Sequence, residues 1–172
     1  MAASDTTRLL LQDIEHELQT TRRVLERVPE AKLAWRPHPR SYTLGELATH
    51  VARLLTWGPM TIERASVDFA TLPKGVGPLA TDRADLLAIF DREASEFRQA
   101  LAGLLAGEAE PALAVRWAVE NGGQELIAVP RAVALRRFVV SHVVHHRGQL
   151  SVYLRLLDVP LPNMYGPTAD EQ

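Results

Sequence analysis

The chain has 172 residues, 47% of them apolar and 23% charged, the composition of one globular domain large enough to bury a core without staples. Nineteen Lys plus Arg stand against 21 Asp plus Glu, for a formal charge of −2, which leaves no cationic surplus for phosphates and argues against a nucleic-acid partner. The absence of cysteine excludes disulfides and thiolate ligands, so any thiol chemistry needs a thiol from outside the chain. The opening Met1 to Arg8 has no apolar signal core, and no apolar run approaches membrane-spanning length; a cytoplasmic protein with no membrane partner is expected. No repeat or linker divides the chain, so 1–172 reads as a single domain.

Four segments carry a helical period. In the first, Leu11, Ile14, Leu18, Leu25 and Val28 share a face, Asp13, Glu15, Glu17 and Arg22 lie elsewhere, and Pro29 ends it. The loop from Trp35 to Arg40 is too rich in proline for a helix. Thr43-Leu-Gly-Glu46 has the form of a capping box, and the helix it opens puts Leu47, His50, Leu54 and Trp57 on one stripe. A long and mobile loop is expected around Pro73–Pro78. A third helix starts near Thr81-Asp82, aligns Leu87, Phe90, Ala94, Phe97, Leu101 and Leu104, and ends at Gly107. From Leu113 to Val129 the pattern alternates around Asn121-Gly122-Gly123, which fits a hairpin or a short irregular connection equally. Pro130 suits the first turn of a fourth helix, whose predicted inner face runs through Leu135, Phe138, His142, His146, Gln149, Tyr153 and Leu157. Four amphipathic helices can bury their stripes only against one another, so the expected class is all-α: a four-helix bundle, with a hairpin or irregular segment before the last helix.

The histidines are the candidate chemistry. His16 and His38, on a polar face and in the proline-rich loop, read as solvated. His50 lies on a core stripe, where a lone histidine is more often a hydrogen-bonded core residue than a ligand. His142 and His146 are four residues apart, so both can reach one ion from the same helix face; the alternative is a polar seam satisfied by water and neighbouring helices. His145, three residues from His142, falls toward the flank and is assigned to the surface or to a supporting role. The expected metal ligands are therefore His50, His142 and His146. Three neutral imidazoles leave coordination positions open, the pattern of a catalytic site. They suit zinc, nickel, iron or copper and argue against magnesium or calcium. No general base stands out: Glu46 lies one turn before His50, but its cap explains it. Gln149 and Tyr153 are placed to orient ligands.

At His142-Val-Val-His-His-Arg-Gly-Gln149 the chain resembles the DinB-like (damage-inducible protein B) family, whose hallmark is a His-x-x-x-His-Arg-Gly-Gln run on the last helix paired with one histidine on the second. The ending from Val159 to Glu171, with Tyr165-Gly-Pro-Thr-Ala-Asp-Glu171, is also similar to that family's tail, with Thr168 where serine is usual. The resemblance implies a four-helix bundle with an open three-histidine site for a divalent transition metal (zinc, nickel or iron), often as a homodimer. It also implies kinship with thiol-dependent S-transferases and an isomerase that use low-molecular-weight thiols. The function expected is a metal-dependent enzyme of the thiol-transferase or hydrolase type acting on a small molecule or thiol. The alternative is a non-catalytic metal-binding stress-response or interaction protein. Gly148, inside a helix at a cost of about 1 kcal/mol, marks either a close backbone approach or simple tolerance. Arg147 either pairs with a tail acid, Asp170 or Glu171, or is solvated.

Overall fold

The computed structural model describes residues 5–171, with side chains from residue 7 onward; the reading of Met1 to Ser4 as free of a signal core lies outside the described residues. Helix α1 (Asp5–Leu25) buries Ile14, Leu18 and Leu25, and Val28 follows them into the core, the spacing that collects residues on one helix face. Helix α2 (Leu44–Arg53) opens with the capping box in full: the Glu46 amide donates to Thr43 Oγ1 at 3.1 Å, and the Thr43 amide donates to Glu46 Oε2 at 2.6 Å. A tight turn at Leu54–Thr56 leads into α3 (Trp57–Glu63). Helix α4 (Arg83–Ala106) is capped by the Asp82 carboxylate, which accepts from the Asp85 amide at 2.8 Å. The short α5 (Ala109–Ala114) follows. The last column is α6 (Arg131–Ala134), a π-helical turn at Leu135–Val140 and α7 (Ser141–Leu156), in unbroken succession. Helices α1 and α2 each pack on both α4 and α7, so the apolar faces close around one core.

The all-α class is overturned by a three-stranded mixed sheet. Strands β2 (Arg116–Asn121) and β3 (Gln124–Pro130) form an antiparallel hairpin, in which Trp117 and Val119 point inward by the two-residue period of a strand. The Gly122-Gly123 turn has φ of 60° and 79°, the left-handed backbone that a two-residue hairpin loop demands. Strand β1 (Ser66–Asp68), in the connection between α3 and α4, pairs with β2 in parallel. At three residues it is too short to show a period. The Asp68 carboxylate ties it to the hairpin by accepting from the amides of Gly122 (2.9 Å), Gly123 (3.0 Å) and Ala70 (2.8 Å). These bonds, Ala70's first, hold its carboxyl below the usual range. Val67, Trp117, Val119 and Ala134 make a second small core against Trp57 and Phe138, so the sheet braces the two helical columns that carry the histidines.

The inner face of the last column also differs from the expected stripe. Val139, Val140, Val143, Arg147, Leu150 and Leu154 are buried, whereas His142, His146 and Tyr153 are half-buried and Gln149 is exposed. The π turn inserts an extra residue before α7 and shifts the register there. The histidine seam lies beside the core and not in it.

Arg147 follows neither expected course. It is 1% exposed, with Nη1 2.6 Å from Glu17 Oε2 and 3.1 Å from Thr21 Oγ1. Its Nη2 donates to the Tyr165 hydroxyl, which in turn donates to Glu17 at 2.8 Å. The tail acids pair elsewhere, Asp170 with Arg155 and Glu171 with Arg27 at 2.6 Å. Glu17, expected on the polar face of α1, is buried by this contact.

Candidate metal centre

Packing of α2 on α7 brings His50 to His142 and His146. One nitrogen from each of the three lies within 4.8 Å of the others. The ring centroids are 4.5 Å apart for His50 and His146, 5.6 Å for His50 and His142, and 4.8 Å for His142 and His146. The two α7 histidines point Nε2 at Nε2 across 3.0 Å.

Hydrogen bonds at the far side of each ring define what those nitrogens carry. His146 Nδ1 is 2.7 Å from Gln149 Oε1; an amide oxygen only accepts, so Nδ1 holds the proton and Nε2 a lone pair. The backbone of Phe138 favours the protonated form of His142 through a hydrogen bond, and with Nε2 turned toward His146 the nitrogen left to make it is Nδ1. In those tautomers two lone pairs face each other at 3.0 Å, and the three histidines together can hold a metal ion. Nitrogens each about 2.0–2.1 Å from a zinc ion stand roughly 3 Å apart, so the donor set fits a transition metal.

The rings are also held neutral. Burial, then the charges of His146 and His142, pushes His50 down to about 4. Burial, then His146, lowers His142, and burial lowers His146, partly opposed by Gln149. A depressed imidazole keeps its lone pair for a metal.

The other candidates fall outside the cluster. His145 is exposed, its ring 4.8 Å from that of His146. His16 and His38 are exposed; His38 Nδ1 accepts from the Arg40 amide at 3.1 Å. Glu46 spends its carboxylate on the helix cap, whose Thr43 backbone bond holds it below the usual range. Gln149 orients His146. The Tyr153 hydroxyl instead donates to the Tyr42 carbonyl at 3.3 Å, with its ring edge-on to Trp35. A Cβ on Gly148 would meet nothing within 4 Å, so tolerance, and not close approach within the chain, accounts for that glycine. Phe138 and a cleft along α2 beside His50 were not legible in the sequence: a backbone carbonyl leaves no residue signal, and the cleft is walled by a loop.

A helical bundle braced by a small sheet, with three histidines from two helices gathered at one point, defines the class of protein. The chain belongs to the DinB family, whose model matches residues 1–172. It is 22% identical over 168 residues to YrdA of Bacillus subtilis, an uncharacterized protein, covering 94% of this chain and 89% of that one. A DinB-like protein from Bacillus cereus matches with a TM-score of 0.68 and 19% identity, over 91% of this chain and 95% of that one. A DinB-like protein from B. subtilis matches with a TM-score of 0.62 and 17% identity, over 94% and 99%. At these identities the solved structures establish the fold. Among the described residues, no helix is long and apolar enough to cross a membrane.

Proposed function

We propose that this chain holds one divalent transition metal (zinc, nickel or iron) through His50, His142 and His146, and that it is a metal-dependent enzyme of the thiol-transferase or hydrolase type. The observation that carries the metal is the facing pair of Nε2 atoms, 3.0 Å apart, with His146 Nδ1 held by Gln149 Oε1 and His50 within reach of both. A bound ion of this kind supplies Lewis acidity, acidifying a water or thiol and polarising an electrophile. The chain's own residues orient the ligands: Gln149 fixes the tautomer of His146, and the Phe138 backbone fixes that of His142. Three protein ligands leave room for an exogenous group. With no cysteine in the chain, a thiol nucleophile would be a low-molecular-weight thiol, as the family resemblance implies. A cytoplasmic homodimer is part of the same reading. Exposed Val152 and Leu156, one and two turns beyond Gly148 on α7, offer it a face, and sedimentation velocity tests it.

The deciding experiment is metal analysis of the purified protein and its variants. His50→Ala, His142→Ala and His146→Ala should each lose most of the metal, and His145→Ala should keep it. Cobalt-substituted protein should then change its visible spectrum when 2-mercaptoethanol is added, as sulfur enters an open position. Full metal in the triad variants would refute the site. A spectrum indifferent to thiols would refute the transferase, and one indifferent to azide as well would indicate a closed site and leave a non-catalytic metal-binding protein.

A further inference from the structure

Beside His50 lies a cleft of about 260 Å³, walled by Arg53, Leu54, Trp57, Met60 and Leu72 and closed by Pro73 and residues 75–78. That volume is just under the usual range of small-molecule sites, roughly 300–1,000 Å³. Its wall is mostly apolar; among the described residues no Asp or Glu lines it, and Arg53 is its charged residue.

The state of Arg53 is the telling feature. Its Nη2 donates to the Pro78 carbonyl at 3.2 Å, while its Nε is buried without any hydrogen-bond partner. A buried donor with no acceptor is costly. Nε and Nη2 form one edge of the guanidinium, the fork that matches the two oxygens of a carboxylate. Two other arginines in this protein show that match: Arg22 holds Asp91 through Nε at 2.8 Å and Nη2 at 3.0 Å, and Arg98 holds Glu15 through Nε at 2.9 Å and Nη2 at 2.8 Å. Arg53 presents the same fork, half satisfied by one loop carbonyl. Above it the loop is bare: Gly75 and Gly77 have φ of 76° and 72°, and a Cβ on Gly77 would sit 3.9 Å from Arg53 Nε.

We infer that this cleft binds a small organic monocarboxylate, held side-on by Arg53 Nε and Nη2 in place of the Pro78 carbonyl, with its apolar body against Trp57, Met60 and Leu72. The other end of the ligand then lies toward His50. Its place beside a metal rests on the proposed function; the selection of a carboxylate by Arg53 does not.

The test uses chelator-treated full-length protein, so that a carboxylate cannot register by binding an ion. The probes are 3-phenylpropionate and its neutral analogue 3-phenylpropan-1-ol, followed by ¹⁵N NMR of the arginine Nε–H and tryptophan indole signals. The acid should bind saturably, shift the Arg53 Nε–H and Trp57 indole resonances, and bind about tenfold or more tighter than the alcohol. Arg53→Gln should abolish that preference without changing metal content, and Arg53→Lys, which lacks the fork, should recover little of it. The inference is overturned by equal binding of acid and alcohol, by no saturable binding of the acid at millimolar concentration, or by a preference that survives Arg53→Gln. Loss of metal binding in the histidine variants, with acid binding intact, would bear on the metal alone.

Discussion

Replacing Arg147 by methionine tests whether the last helix is anchored by a buried ion pair. Arg147 is 1% and Glu17 6% exposed, and their closest approach is 2.6 Å. The variant leaves the Glu17 carboxylate buried with the Tyr165 hydroxyl, at 2.8 and 3.0 Å, but without its cation. Removing one partner of a buried pair costs about 3–5 kcal/mol, because the remaining charge keeps its desolvation penalty. Methionine restores some packed volume, which places the expected loss near the lower end, about 3 kcal/mol. In a chain of this size, 1 kcal/mol moves Tm by about 2–4 °C, so the melting point should fall by about 10 °C. Urea denaturation at pH 7 measures the free energy directly. The double variant Glu17→Gln/Arg147→Met removes the stranded charge and should recover about 2 kcal/mol, a coupling in the range seen for contacting groups. A loss below about 1 kcal/mol for the single variant, or strict additivity in the double, would refute the buried-pair argument.

The metal-free protein should lose stability on acidification through His50. Its folded value is about 4 against an ordinary 6.5, so the stabilising contribution is full above pH 6.5, falls as pH drops through that window, and is gone below about 4. The gap corresponds to about 3 kcal/mol, which solvent at the half-exposed ring reduces to about 1–2 kcal/mol. Urea midpoints at pH 7, 5.5 and 4.5 should fall more steeply in chelator-treated wild type than in His50→Gln, where the depressed His142 and His146 still contribute; parallel profiles would count against it. Two glycines should respond oppositely to alanine in thermal melts. At Gly58 the new Cβ would lie 2.2 Å from the Phe97 ring, overpacking α3 against α4 by about 1–3 kcal/mol. At Gly148 it meets nothing within 4 Å and should stabilise α7 by up to about 1 kcal/mol. Equal melting points for the two variants would show that these spacings do not govern the packing.

Features whose causes lie within a turn or two of chain were readable from residues alone. The Thr43–Glu46 box, the helix start near Thr81-Asp82 and the four-residue spacing of His142 and His146 depend on neighbours fixed by covalent geometry, whereas the Gly122-Gly123 turn was legible only as one of two equal readings. The core positions of α1 and α4 follow from periodicity in the same way. Only the tertiary structure decided the rest. It joined His50 to the α7 pair through the packing of α2 on α7, and it recruited the three residues of β1 into a sheet that the helical periods do not announce. It placed a π turn before α7, which moved the histidine seam from the core to its flank. It also gave Arg147 a partner 130 residues away in the chain, although the tail acids are much nearer in sequence, and it left Arg53 Nε buried without an acceptor. The physical reason is common to all of these. A buried charge or an orphaned donor is defined by what surrounds it in space, and contacts between distant segments leave no spacing in the sequence to read.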